Sequence, residues 1–190
     1  MLLSESSVLS KQTKINIVNA LIFQCCWFLA VLVITEVTLI ALAIALIVYF
    51  YSLNSVSKNL YFMALTLIIL SLVGYIGDSI IAWQTGLVYS DNIGNLAPVW
   101  LLVLWIAFST TLPFSMTWIF IKPWLTVIIG LCLAPMSYVA GIHLSNSYFI
   151  EEGSYPTFFV IEGIWWAILL TCYRKINEIY EGYHEKSIIS

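Results

Sequence analysis

Six apolar stretches run along the chain, separated by short polar gaps. Each is about 20 residues long, the length a helix needs to cross a hydrocarbon core of ~30 Å. Spans are expected at about 15–34, 37–55, 59–83, 97–121, 123–144 and 156–173, with polar tails at 1–14 and 174–190. The first two stretches meet at Glu36 and are otherwise uncharged. Joined as one helix they would reach roughly 64 Å at 1.5 Å per residue, too long for a single crossing. A turn is therefore expected near Thr35-Glu36, although no Gly or Pro marks it. Pro98, Pro123 and Pro156 suit the first turns of the last three spans, where a missing N–H is no loss. Polar loops follow at Tyr89–Leu96 and Ser145–Tyr155. The third helix has room to continue past Asp78 towards Gly86, and the tail from Arg174 suits a short surface helix. The expected fold is all-α: one polytopic membrane domain, a bundle of six transmembrane helices. No internal repeat supports an inverted-repeat transporter.

Composition supports the same class. Hydrophobic residues make up 62% of the chain and charged residues 9%, against about 25% charged in soluble domains. Lipid must be the solvent for most of that apolar surface. All seven bases fall in alternate gaps: Lys11 and Lys14, then Lys58, then Lys122, then Arg174, Lys175 and Lys186. The other gaps carry Glu36, Asp91, Glu151 and Glu152 and no base. Basic loops stay in the cytoplasm during insertion, so both termini are expected there. Scattered bases make no nucleic-acid stripe. Cys25, Cys26, Cys132 and Cys172 lie within apolar stretches and read as small hydrophobes. Gln24 stands where a lipoprotein signal needs a small residue, so the first stretch is expected to be a retained span.

Charge inside the spans is the main chemical signal, because an Asp at a helix centre costs about 2.5–3.5 kcal/mol on insertion. Asp78 and Glu162 bear part of that cost, and intramembrane acids are functional candidates. With no base nearby in sequence, both are expected as neutral hydrogen-bond donors. His143 and Glu36 fall at a similar depth, so four titratable side chains are expected in one layer. The competing reading leaves each acid near the interface, bonded to a backbone carbonyl or to Tyr75 or Ser79. Three separated positions are a weak metal signal, so no metal site is assigned.

A second polar set lies deeper. Ser109, Thr110, Thr111, Pro113 and Ser115 sit in the fourth span, Pro135, Ser137 and Tyr138 in the fifth, and Asn16 and Gln24 in the first. Pro113 frees the Ser109 carbonyl and Pro135 that of Leu131, and freed carbonyls at this depth need partners. They outline a polar pocket of Gln24, Thr110, Ser115, Ser137 and Tyr138. Its alternative is a pair of ordinary kinks satisfied by local hydroxyls. Gly130, Ala134, Ser137 and Gly141 form a small-residue stripe for close helix approach. Trp83, Trp100, Trp118 and Trp124 suit interfacial belts. Trp165 and Trp166 follow Glu162 by three and four residues, so at least one shares its face. Common catalytic and nucleotide motifs are absent, and no cofactor is implied.

One set of motifs joins several spans in order: Phe23-Gln24, Trp27-Phe28, Gly77-Asp78, Pro98-x-Trp100-Leu101, Leu104-Trp105, Phe108, Thr110-Thr111-Leu112, Ser115, Trp118, Pro135, Ser137-Tyr138 and Ala140-Gly141. On these the chain resembles domain-of-unknown-function family 2878, uncharacterised bacterial integral membrane proteins. The resemblance covers nearly the whole chain and implies a small protein of the bacterial inner membrane. Relatives often neighbour genes for fatty-acid or phospholipid-modifying enzymes, which implies lipid-modifying partners. The chain departs from the pattern where Pro113-Phe114 replaces an Asn-His pair, and where Ala134 replaces a Gly.

Two functional classes follow. The first is an accessory or binding protein in membrane lipid modification or envelope stress. The second is a small membrane enzyme or transporter that uses Asp78, assisted by Glu162.

Overall fold

The computed structural model describes residues 2–32, 36–55, 59–89, 96–144, 148–150 and 152–189. The turn expected at Thr35 and the residues Lys58, Asp91 and Glu151 lie outside them. Six helices form the body: α1 (Leu2–Leu32), α2 (Glu36–Ser55), α3 (Leu60–Thr85), α4 (Val99–Ser109), α5 (Pro123–Leu144) and α6 (Tyr155–Ile189). Five of them carry segments long and apolar enough to cross a membrane: Lys11–Leu32, Glu36–Ser55, Leu60–Thr85, Pro123–Leu144 and Tyr155–Gly182. The protein is an all-α polytopic bundle.

Lipid explains why these segments are helical and why they look inside out. Hydrocarbon offers backbone groups no partner, so each span must satisfy its own. Large apolar side chains also stay exposed on the outer faces, Ile47 at 69% and Trp83 at 76% among them. Local signals set the ends of α3. The Asn59 side chain accepts the Phe62 N–H at 3.0 Å, and Gly86 closes the helix in the left-handed region at φ 72°.

Two short strands, β1 (Leu87–Tyr89) and β2 (Tyr148–Ile150), pair antiparallel with Leu87 opposite Ile150. This ladder was not legible as strand in the sequence. It joins the end of α3 to the segment between α5 and α6, so four helix ends meet at one end of the bundle. Helix α5 must then start at the opposite end. The stretch from Val99 to Phe120 therefore makes the remaining crossing.

That crossing differs from the single helix expected over 97–121. Helix α4 has 11 residues, or ~16 Å. The chain then turns and resumes as a 3-10 helix at Thr117–Phe120. Pro113 is the cause, since it removes an N–H and its ring crowds the carbonyl four residues back. Hydroxyls complete the break. Thr110 donates to the Ala107 carbonyl at 2.7 Å and Thr111 to that of Phe108 at 2.6 Å. Asn19 of α1 donates to the Thr110 carbonyl at 3.2 Å and accepts from the Ser115 hydroxyl at 2.7 Å. Ser109 contacts Ser71 at 3.0 Å and ties the same turn to α3.

Helices α5 and α6 make the closest seam. A Cβ on Gly130 would lie 2.6 Å from the Ala167 backbone, and one on Gly163 would lie 2.6 Å from the Leu131 carbonyl oxygen. That carbonyl is the one Pro135 leaves without its helical N–H. Gly163 thus lets α6 come up against the gap in α5, where a weak Cα–H contact can cover the oxygen. Gly130 of the small-residue stripe meets Ala167, one turn along α6 from Gly163.

Both tails continue their helices without a break. Helix α1 starts at Leu2 and α6 runs to Ile189. The end of α6 holds its shape through Arg174–Glu178 at 2.6 Å and Asn177–Glu181 at 2.9 Å, both one turn apart. Tyr180 stacks on Phe62 of α3 with ring centres 3.7 Å apart, so this extension packs against the bundle.

Candidate functional site

The site begins with the glycines beside Asp78. A Cβ on Gly74 would overlap the Trp105 indole, and one on Gly77 the Trp165 indole. The two glycines let two large rings lie against the α3 backbone, next to the acid. A buried indole N–H needs an acceptor. Trp105 of α4 donates to Asp78 Oδ2 at 2.6 Å, and the Tyr138 hydroxyl of α5 donates to the same oxygen. Within α6, Trp166 donates to Glu162 Oε1, one turn back, at 2.9 Å. The Trp105 and Trp166 rings stack with centres 4.5 Å apart and planes at 21°. Asp78 and Glu162 are 2% and 1% exposed.

The donor inventory constrains protonation. Indole N–H groups donate only, so Asp78 Oδ2 and Glu162 Oε1 act as acceptors. The two carboxyls interact with each other, and Trp165 lies within range of Asp78. Their other oxygens, Asp78 Oδ1 and Glu162 Oε2, complete no hydrogen bond of ordinary geometry among the described residues. One proton on either oxygen supplies the missing donor. Two indoles and a phenol donate to the pair. No Lys or Arg occurs between Asn59 and Ile121 or between Pro123 and Tyr173.

An apolar groove leads to this pair. Its inner cavity, about 60 Å³, is lined by Trp100, Trp105, Phe108, Tyr138 and Trp166 among others. A larger cavity, about 370 Å³, continues past Gln24, Met116, Leu133 and Leu170. Phe23, Trp27, Phe108, Ser137 and Trp166 line both, so the two are adjacent. Helices α1, α4, α5 and α6 form its walls. The side chains that hold the carboxyls are thus also its inner wall.

A family model described as a protein of unknown function, DUF2878, matches residues 16–172. The chain belongs to the DUF2878 family. No curated protein and no solved structure matches it. The matched region of this DUF2878 protein holds Asp78, Trp105, Tyr138, Glu162, Trp166 and the whole groove lining, while the polar end of α6 lies outside it.

Within the DUF2878 bundle the candidate residues fall in three places. Asp78 and Glu162 come together, with Tyr138 as their link to the groove. Gln24 and Ser137 line the groove itself. Thr110 and Ser115 lie in the Asn19 network at the end of α4. Glu36 at the start of α2 and His143 near the end of α5 are exposed, and neither joins the carboxyl pair. Sequence reasoning missed Trp105 and Asn19. The signal for Trp105 was an indole donor in the middle of an apolar span, with an unpartnered acid elsewhere in the membrane. Asn19 is 4% exposed, a buried amide that had to find partners on another helix.

Proposed function

We propose that this protein binds a single-chain, lipid-derived molecule of the bacterial inner membrane, as an accessory to membrane-lipid (fatty-acid) modification or an envelope stress response. Lipid-modifying enzymes are its expected partners. One observation carries the reading: an apolar groove among membrane helices ends on the donors that hold a buried acid pair. A hydrocarbon tail fits the outer cavity, and the tail's polar end meets Tyr138 and the two stacked indoles. Native mass spectrometry of the protein in mild detergent tests this. One lipid mass should remain bound, and Ala134→Trp, which fills the outer cavity, should lose it without unfolding. A lipid-free spectrum, or one unchanged by the substitution, refutes the reading.

The second reading is an enzyme or transporter that moves a proton through Asp78, and the contact of Tyr138 with both groove and acid favours it. Asn at position 78 still accepts from Trp105 and Tyr138 and donates to Glu162. Lipid binding should therefore survive Asp78→Asn, whereas proton chemistry should not.

We further propose that both termini are cytoplasmic. Lys11, Lys14, Lys122, Arg174 and Lys175 support this, since they occupy the bundle end away from the strand ladder. A reporter fused after Ser190 should be cytoplasmic and one within 145–155 external. A cytoplasmic signal from the second fusion overturns the orientation.

A further inference from the structure

The groove is apolar, but its lining keeps polar groups that the acid pair does not use. Trp105 and Tyr138 donate to Asp78, Trp166 donates to Glu162, and the Ser137 hydroxyl donates to the Ala134 carbonyl at 2.6 Å. Gln24 and Trp27, one turn apart on α1, make no hydrogen bond among the described residues. Gln24 lines the larger cavity and Trp27 lines both. Gln24 lies deep in the Lys11–Leu32 span, two turns or more from either end. Hydrocarbon gives an amide nothing to bond, so leaving one unpaired at that depth is costly. No Lys, Arg, His, Asp or Glu lines either cavity. An ion entering the groove sheds its water and meets no opposite charge in the walls.

We infer that the head of the ligand is neutral, with a carbonyl acceptor beside an N–H or O–H donor, seated at Gln24 and Trp27 where the two cavities adjoin. A carboxamide or an undissociated carboxylic acid has this chemistry. The inference rests on the groove reading above and names the class of head that reading left open. Such a head accepts from the Gln24 amide and donates to its carbonyl in one reciprocal pair, and its second lone pair is open to the Trp27 N–H. The Ser137 oxygen, which lines both cavities, keeps a lone pair for a further donor. The hydrocarbon tail makes its apolar contacts along the larger cavity. A charged head gains no counter-charge here, and a bare hydrocarbon leaves Gln24 unpaired.

The test uses the full chain in nanodiscs of zwitterionic lipid, read by tryptophan fluorescence after subtracting empty discs. The probes are decanamide, undecane, decanesulfonate and decyltrimethylammonium. Decanamide should bind about tenfold more tightly than undecane, the ratio that one or two net hydrogen bonds give. Both charged probes should bind more weakly than decanamide. Gln24→Met keeps the length of the side chain and removes its amide, and because Gln24 is exposed the substitution leaves the packing in place. The variant should bind undecane as the parent does and lose the preference for decanamide. Decanamide binding that Gln24→Met leaves unchanged, or a preference for either charged probe, overturns the inference and leaves the groove reading standing. A parent dimer that Gln24→Met converts to monomer, seen by native mass spectrometry, also overturns it, since the amide then serves a second copy. Failure of all four probes to bind the parent overturns both readings.

Discussion

Gly163→Val should destabilise the bundle by about 3 kcal/mol or more, the upper range for overpacking a well-filled core. The new side chain would start 2.6 Å from the Leu131 carbonyl oxygen. That oxygen belongs to backbone, so it cannot swing aside as a flexible side chain would. Relief requires α5 and α6 to move apart, which also opens the seam at Gly130 and Ala167. Gly182→Ala is the internal control. It lies on the same helix, a Cβ there meets nothing within 4 Å, and Ala suits a helix better than Gly. Denaturant or thermal unfolding in detergent should show a large loss for the first and no loss for the second. Similar stability for both would mean that the α5–α6 seam is looser than described.

The second large effect is at Asp78. Asp78→Ala removes the acceptor for both Trp105 and Tyr138 and leaves Glu162 without its partner. Interhelical hydrogen bonds within membranes average about 0.6 kcal/mol and reach about 1.7, because an unfolded chain in lipid also finds partners. Two lost bonds and a small void therefore amount to ~2–3 kcal/mol. Asp78→Asn should lose less than about 1 kcal/mol, because the amide keeps an acceptor for the two donors and offers its own N–H to Glu162. The same unfolding measurement decides it. Equal losses for Ala and Asn would show that charge, rather than hydrogen bonding, is what the site needs from Asp78.

The helices were legible because lipid permits little else: long uncharged runs must be helical, and acids within them stand out by their cost. Asp78 and Glu162 were found this way, and the spacing of Trp166 from Glu162 already placed that indole on the acid's face. The break in α4 was harder to read. Pro113 suggested a kink in one helix, but the outcome depended on Asn19, about a hundred residues away, reaching the freed backbone. The three-residue strands were invisible for a similar reason, since ladders that short are fixed by their partner and carry no pattern of their own. Depth alone also grouped Glu36 and His143 with the acids. A residue's height along a helix follows from its position in the span, but the direction it faces depends on neighbours that one sequence does not identify.

The stacking of Trp105 on Trp166 has an optical consequence. Two indoles with centres 4.5 Å apart and nearly parallel planes do not absorb independently; their transition dipoles couple and split the band into a pair of opposite circular-dichroism sign. One ring sits on α4 and the other on α6, so the size of that splitting reports the separation of the two helices. The protein therefore carries its own spectroscopic ruler across the wall between groove and acids, readable without any attached label.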